Sequence, residues 1–116
     1  MKEIKAYIRT GLVDQVIRAL EDAGVTNMTV IDVRALWQGV RGEELSYSLE
    51  LAERYMNVAK LETVVADAEA GRVIEVIRGA ARTGRPGDGI IYAVAVDEAV
   101  HIRTGRRGET ALSGRE

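Results

Sequence analysis

The chain has no cysteine and no phenylalanine, one proline, one tryptophan and one histidine in 116 residues. Each shortage closes off a class of chemistry. Without cysteine there is no disulfide framework and no thiolate nucleophile, which suits a reducing compartment. One histidine and no thiol leave little from which to build a transition-metal site. Four tyrosines and one tryptophan are too few for base-stacking platforms, and a formal net charge of -2, from 16 basic and 18 acidic residues, provides no bulk field for gripping nucleic acid. No apolar run approaches membrane-spanning length, and "MKEIKAYIRTGL" lacks the apolar core of a signal peptide. A cytoplasmic protein is expected.

What is present is ample for one core, since 47% of the residues are hydrophobic. From Lys2 to Arg9, Ile4, Ala6 and Ile8 alternate with polar neighbours, as in a half-buried strand. Val13, Val16, Ile17 and Leu20 follow the spacing of an amphipathic helix, with Asp14 near its start and Gly24 as its stop. In "NMTVIDVRALW", Met28, Val30, Asp32 and Arg34 alternate with Thr29, Ile31, Val33 and Ala35, which predicts a strand buried on one side and partly on the other. Gln38 to Tyr55 fits neither period, so a long projecting loop is expected over about 37–55. Asn57 to Val65 reads as a third strand. Ala70, Val73, Ile74 and Ile77 repeat the helix spacing behind Asp67 and Glu69, and Ile90 to Val96 is a fourth strand.

The order strand-helix-strand, loop, strand-helix-strand predicts an α+β, ferredoxin-like split βαβ domain spanning 1–116. Its antiparallel sheet would carry both helices on one face, followed by a tail over about 103–116. The other face has no helix to cover it. Copies of the same chain are its simplest cover, so a homo-oligomer is expected.

The stretch "ARTGRPGDGIIY", Ala81 to Tyr92, links the second helix to the last strand and is longer than such a link needs. Gly84, Gly87 and Gly89 would let backbone amides converge on a phosphate, with Arg82 and Arg85 adding charge and Asp88 bonding a sugar hydroxyl or bracing the loop. A pliable turn with a basic rim accounts for the same residues. Trp37 would stack on a base, anchor a partner or pack at a junction between copies. The acids Glu43, Glu44, Glu50 and Glu53 could recruit a divalent cation or form a solvated face. Asp32 with Glu62 is better read as salt-bridge or interface material than as an acid–base pair, and no catalytic set or Walker lysine assembles.

Several segments resemble the PII signal-transduction family, the nitrogen-regulatory trimers. "ARTGRPGDGIIYAVAVDEAVHIRTG" resembles the family's T-G-x-x-G-D-G-K run and the R-x-R-T-G that follows it, through Thr83, Gly84, Gly87, Asp88, Gly89, Arg103, Thr104 and Gly105. "TNMTVIDVRA" and "KLETVVAD" resemble its G-M-T-V-x-E-V-K-G and K-I-E-I-V-V-P-D segments, so that the likeness covers essentially the whole chain. The resemblance implies a noncatalytic homotrimer binding an adenine nucleotide (ADP, AMP or ATP) in clefts between copies. It implies ligand contacts from Tyr7, Met28, Thr29, Ala35, Leu36, Trp37, Gln38, Glu62, Val64, Gly87, Asp88, Gly89, Ile90, His101 and Arg103. It also implies that the loop over 37–55 docks on a transporter, an enzyme or a regulator.

The chain departs from the pattern where charge meets phosphate. Ile90 stands where the family has lysine, His101 where it has arginine, and Gln38 and Gly39 where it has arginine and glutamine. Val58 occupies the place of the lysine that recognises 2-oxoglutarate, while Lys60 remains. A hydrogen bond to a charged group contributes about 1.5–3 kcal/mol, so ADP or AMP is expected ahead of Mg-ATP with 2-oxoglutarate. Leu51 sits at the position of the family's modified tyrosine, and uridylylation is not expected. The alternative is a trimer of the same fold that has lost nucleotide binding or senses another small metabolite.

Overall fold

The computed structural model describes residues 1–35 and 58–112. The expected projecting loop and Asn57 lie outside them. The elements are β1 (Lys2–Arg9), α1 (Val13–Asp22), β2 (Thr29–Val33), β3 (Val58–Val65), α2 (Asp67–Ala81) and β4 (Ile90–Ala95), with short 3-10 turns at Thr10–Leu12 and Gly108–Leu112. The sheet runs in the order β2-β3-β1-β4, and every neighbouring pair is antiparallel. Each βαβ unit therefore leaves room for a strand of the other between its own two. This is the split arrangement the element order predicts.

One face of the central strands carries Ile4, Ala6, Ile8, Leu61 and Val65. Val16 and Leu20 of α1 and Val73 and Ile77 of α2 close over it in a single buried cluster. Both helices thus lie on one side of the sheet. α1 stops at Gly24, which adopts φ 88°. Gly24 N–H donates to the Glu21 carbonyl at 2.9 Å and Val25 N–H to the Leu20 carbonyl at 2.9 Å, and the buried Val25 packs in the same cluster as Leu20. This reverse turn uses the last helical carbonyls and returns the chain to the core.

The sequence pattern misjudges β2. Thr29 to Asp32 are exposed, Val30 by 42% and Ile31 by 37%, rather than buried on one side. The cause is its place: β2 is an edge strand beyond the cover of the helices, and β4 is the other edge, with Tyr92 49% and Val94 46% exposed. β4 also ends one residue earlier than its alternation suggests, although Val96 N–H still donates to the Met1 carbonyl at 3.1 Å.

The register places Glu3, Lys5 and Tyr7 of β1 beside Val64, Glu62 and Lys60 of β3 on the helix-free face. Lys60 lies 2.8 Å from Glu62, and Lys5 lies 3.3 Å from Glu3. The Lys60 ammonium stands 6.0 Å from the centre of the Tyr7 ring, which meets Tyr92 edge to face at 6.2 Å. Its hydrogen bond to Glu62 raises the Lys60 pKa above the ordinary 10.5, against a smaller opposing effect of burial. Asp32 pairs with Ala59, on the opposite face from Glu62, so these two acids do not meet across the sheet.

A braced connector and its cleft

α2 ends at Ala81, and Arg82 turns the chain into extended backbone at ψ 126°. The glycines that follow adopt φ 86° at Gly84, 93° at Gly87 and 102° at Gly89, a region that side chains resist. Gly89 is the most constrained. A Cβ there would overlap the Tyr7 carbonyl oxygen and stand 2.9 Å from the Tyr7 carbonyl carbon, where β1 and β4 begin to pair.

Asp88 organises the connector from within. Its carboxylate accepts the backbone N–H of Thr83 at 2.8 Å and of Gly84 at 2.9 Å, Arg9 Nε at 3.2 Å, and the Thr83 hydroxyl. Arg9 also donates from Nη2 to the Pro86 carbonyl at 2.9 Å, and Arg85 N–H donates to Thr83 Oγ1 at 3.1 Å. The Thr83 hydroxyl, the Thr83 and Gly84 amides and Arg9 together hold the Asp88 pKa far below the ordinary 3.8, against an opposing effect of burial. Asp88 therefore braces the loop, the second of the two roles its sequence position suggests. The Thr83 and Gly84 amides turn inward toward it, so they are not part of an outward phosphate cradle.

Behind the connector lies a cleft of about 420 Å³. Tyr7 and Ile8 of β1, Ile74, Arg78 and Ala81 of α2, Arg82, and the run Asp88, Gly89, Ile90 and Ile91 line it. It gathers four of the expected ligand residues: Tyr7, Asp88, Gly89 and Ile90. Ile74, Arg78 and Ile91 belong to it without any motif to announce them; the signal available was that Ile74 and Arg78 fall four residues apart on one face of α2.

Gly87 stands on the connector itself, outside the cleft lining, and the remaining expected residues lie elsewhere. Thr29 opens β2 opposite Glu62, and Val64 faces Glu3 in the half of the sheet away from the connector. Met28 packs against the core instead of facing outward, and Ala35 is buried. Leu36, Trp37 and Gln38 lie outside the described residues. His101 and Arg103 belong to a turned segment beyond the far end of β4. There His101 N–H donates to the Arg106 carbonyl at 2.8 Å, Gly105 N–H to the His101 carbonyl at 2.8 Å, and Thr104 N–H to His101 Nδ1 at 3.3 Å. β4 spans about 20 Å at about 3.3 Å per residue, so the connector and this segment stand at opposite ends of the sheet.

Asn27 anchors that far end and has no counterpart among the expected residues. Its Oδ1 accepts Val64 N–H at 3.3 Å, its Nδ2 donates to the carbonyls of Val64 and Leu112 at 3.3 Å each, and its own carbonyl accepts the Thr63 hydroxyl at 2.6 Å. The ammonium of Met1 pairs with Asp67 at 2.9 Å at the start of α2. Among the described residues, no three His, Asp or Glu side chains gather to hold a metal ion, and no helix is long and apolar enough to cross a membrane.

The family model for "Nitrogen regulatory protein P-II" matches residues 1–106. Nitrogen regulatory protein P-II of Rhodospirillum rubrum is 38% identical over 112 residues, which is 97% of this chain and all of the relative. The protein of that name from Rhizobium meliloti matches to the same extent. Among solved structures, that of Arabidopsis thaliana PII bound to citrate superposes with a TM-score of 0.78 and 32% identity, over 96% of this chain and 88% of its own. With the split βαβ sheet and the Asp88-braced connector, these likenesses make the chain a member of the nitrogen regulatory protein P-II family.

Proposed function

We propose that this chain is a noncatalytic, cytoplasmic regulator that binds an adenine nucleotide between copies of itself in a homotrimer. The 116 residues act as one domain, and the segment 37–55 conveys occupancy to a partner protein, whether a transporter, an enzyme or a regulator. The observation that carries the reading is the split of the expected ligand set. Tyr7, Gly87, Asp88, Gly89 and Ile90 stand at one end of the sheet, and His101 and Arg103 beyond the other. A single copy cannot bring the two groups to one small molecule; a neighbouring copy can. The exposed apolar residues Ile31, Ile90, Tyr92 and Val94 supply surface for that contact. The citrate held by the Arabidopsis relative supports an anion-binding habit in this fold.

A second reading, an assembly without nucleotide, draws on the inward-turned Thr83 and Gly84 amides and on the apolar side chain of Ile90. Calorimetry with ATP, ADP, AMP and cyclic AMP, together with light scattering to count copies, separates the two. ADP or AMP is expected to bind a trimer more tightly than Mg-ATP. A monomer, or a trimer giving no heat with any of the four, refutes the nucleotide reading.

A further inference from the structure

Among the described residues, two cations on the α2–β4 cleft have no ion-pair partner. Arg78 lies in the last turn of α2 and Arg82 just past its end, and both line the cleft. Among the described residues, no carboxylate pairs with either. Other arginines are committed: Arg9 to Asp88 and the Pro86 carbonyl, Arg72 to Glu69 and the Ala23 carbonyl, Arg107 to Glu98. Asp88, the one acid on the cleft wall, is already engaged by the Arg9 guanidinium and by the Thr83 and Gly84 amides, and no ion pair joins it to Arg78 or Arg82. The cleft is therefore cationic at its helix end. Ile74, Ala81 and Ile91 make the rest of its wall apolar, and its volume of about 420 Å³ falls in the range of small-molecule sites.

We propose that Arg78 and Arg82 form the anion-receiving end of this cleft and that it takes an amphipathic anion, with the charged group at the two guanidiniums and the body along the apolar wall. This rests on the nucleotide reading above and sharpens it: the ligand is a nucleoside mono- or diphosphate whose phosphate is read by α2. Two guanidiniums match one phosphoryl group by paired N–H donors, and Ile90 adds no third charge for a longer polyphosphate. A role confined to the helix is the competing account, because basic side chains also suit the negative end of a helix dipole. The measurement must therefore distinguish charge reading from helix stability.

The test is calorimetry on the full chain with AMP, ADP and adenosine, for the wild type and the double variant Arg78→Gln with Arg82→Gln, alongside thermal melting. The double variant is expected to lose at least about tenfold in affinity for AMP and ADP while its affinity for adenosine and its melting temperature stay close to wild type. Unchanged AMP and ADP affinity overturns the inference and leaves nucleotide binding standing. Equal losses for adenosine and ADP, with a lowered melting temperature, overturn it in favour of the helix role. If the wild type binds no adenine compound, the nucleotide reading fails and the cleft is judged with anilinonaphthalene sulfonate, an aromatic anion. Binding lost in the double variant then upholds the anion-receiving end, and binding absent or unchanged overturns it.

Discussion

The two faces of the sheet are made by the same strands and finished in opposite ways. On the helix side, Ile4, Ile8 and Leu61 meet Val16, Leu20, Val73 and Ile77, and all seven are sealed from solvent within one copy. On the other side, Lys5 pairs with Glu3 along β1 and Lys60 with Glu62 along β3, while Ile31, Ile90, Tyr92 and Val94 lie exposed on the edge strands. Alternation along a strand thus carries two instructions. One is completed inside the chain and specifies the fold. The other is left open and specifies what the fold meets.

The largest test of this contrast is Leu61→Ala. Removing a sealed side chain from the helix face is expected to cost about 2–5 kcal/mol, read by urea unfolding. Gly89→Ala comes next. It adds left-handed strain of roughly 1–2 kcal/mol and an overlap with backbone that no rotamer relieves, whereas Gly84→Ala, at φ 86° with open space around it, carries the strain alone. Equal unfolding midpoints for the two glycine variants would remove Gly89 as the fixed point of the connector.

Asp88→Asn acts more locally. Faster amide exchange at Thr83 and Gly84 is expected, with little change in the global unfolding midpoint. The pH dependence has a definite sign. The folded pKa of Asp88 is depressed, so the brace is complete above the ordinary 3.8 and weakens only as pH falls below it toward the folded value. Protection relative to Asp88→Asn should stay level from neutral pH to about 5 and narrow below the ordinary carboxylate range; a loss already at neutral pH would show that the carboxylate is not the brace. The smallest effect belongs to the open face. Lys60→Met should barely move the unfolding midpoint of a single copy, in contrast to its neighbour Leu61. The raised Lys60 pKa means that its pairing with Glu62 contributes fully below pH 10.5 and fades as pH climbs through the folded value.

Local periodicity reveals much of this architecture. The bounds of β1 follow from the alternation of Ile4, Ala6 and Ile8, and the end of α1 follows from Gly24. The features it misses depend on contacts distant in the chain. Whether β2 is buried depends on where it sits in the sheet, which its own alternation does not encode. Arg9 and Asp88 meet across 79 positions, and Asn27 reaches Leu112 across 85, so neither pairing has a local signature. The parity of the β2–β3 register decides that Asp32 and Glu62 part company. At the connector, glycine spacing correctly marks unusual backbone but not its direction: Thr83 and Gly84 point toward Asp88.

The separation of the connector from the His101 segment by the length of β4 has a genetic corollary. On the proposed arrangement, every copy lends its connector to one pocket and its tail turn to another. A copy damaged at Gly89 and a copy damaged at Arg103 are then each defective alone, yet when co-assembled the sound connector of one can face the sound tail of the other. Mixed populations of such alleles would regain part of what each has lost, and the fraction regained would count the boundaries where the two meet in the right order.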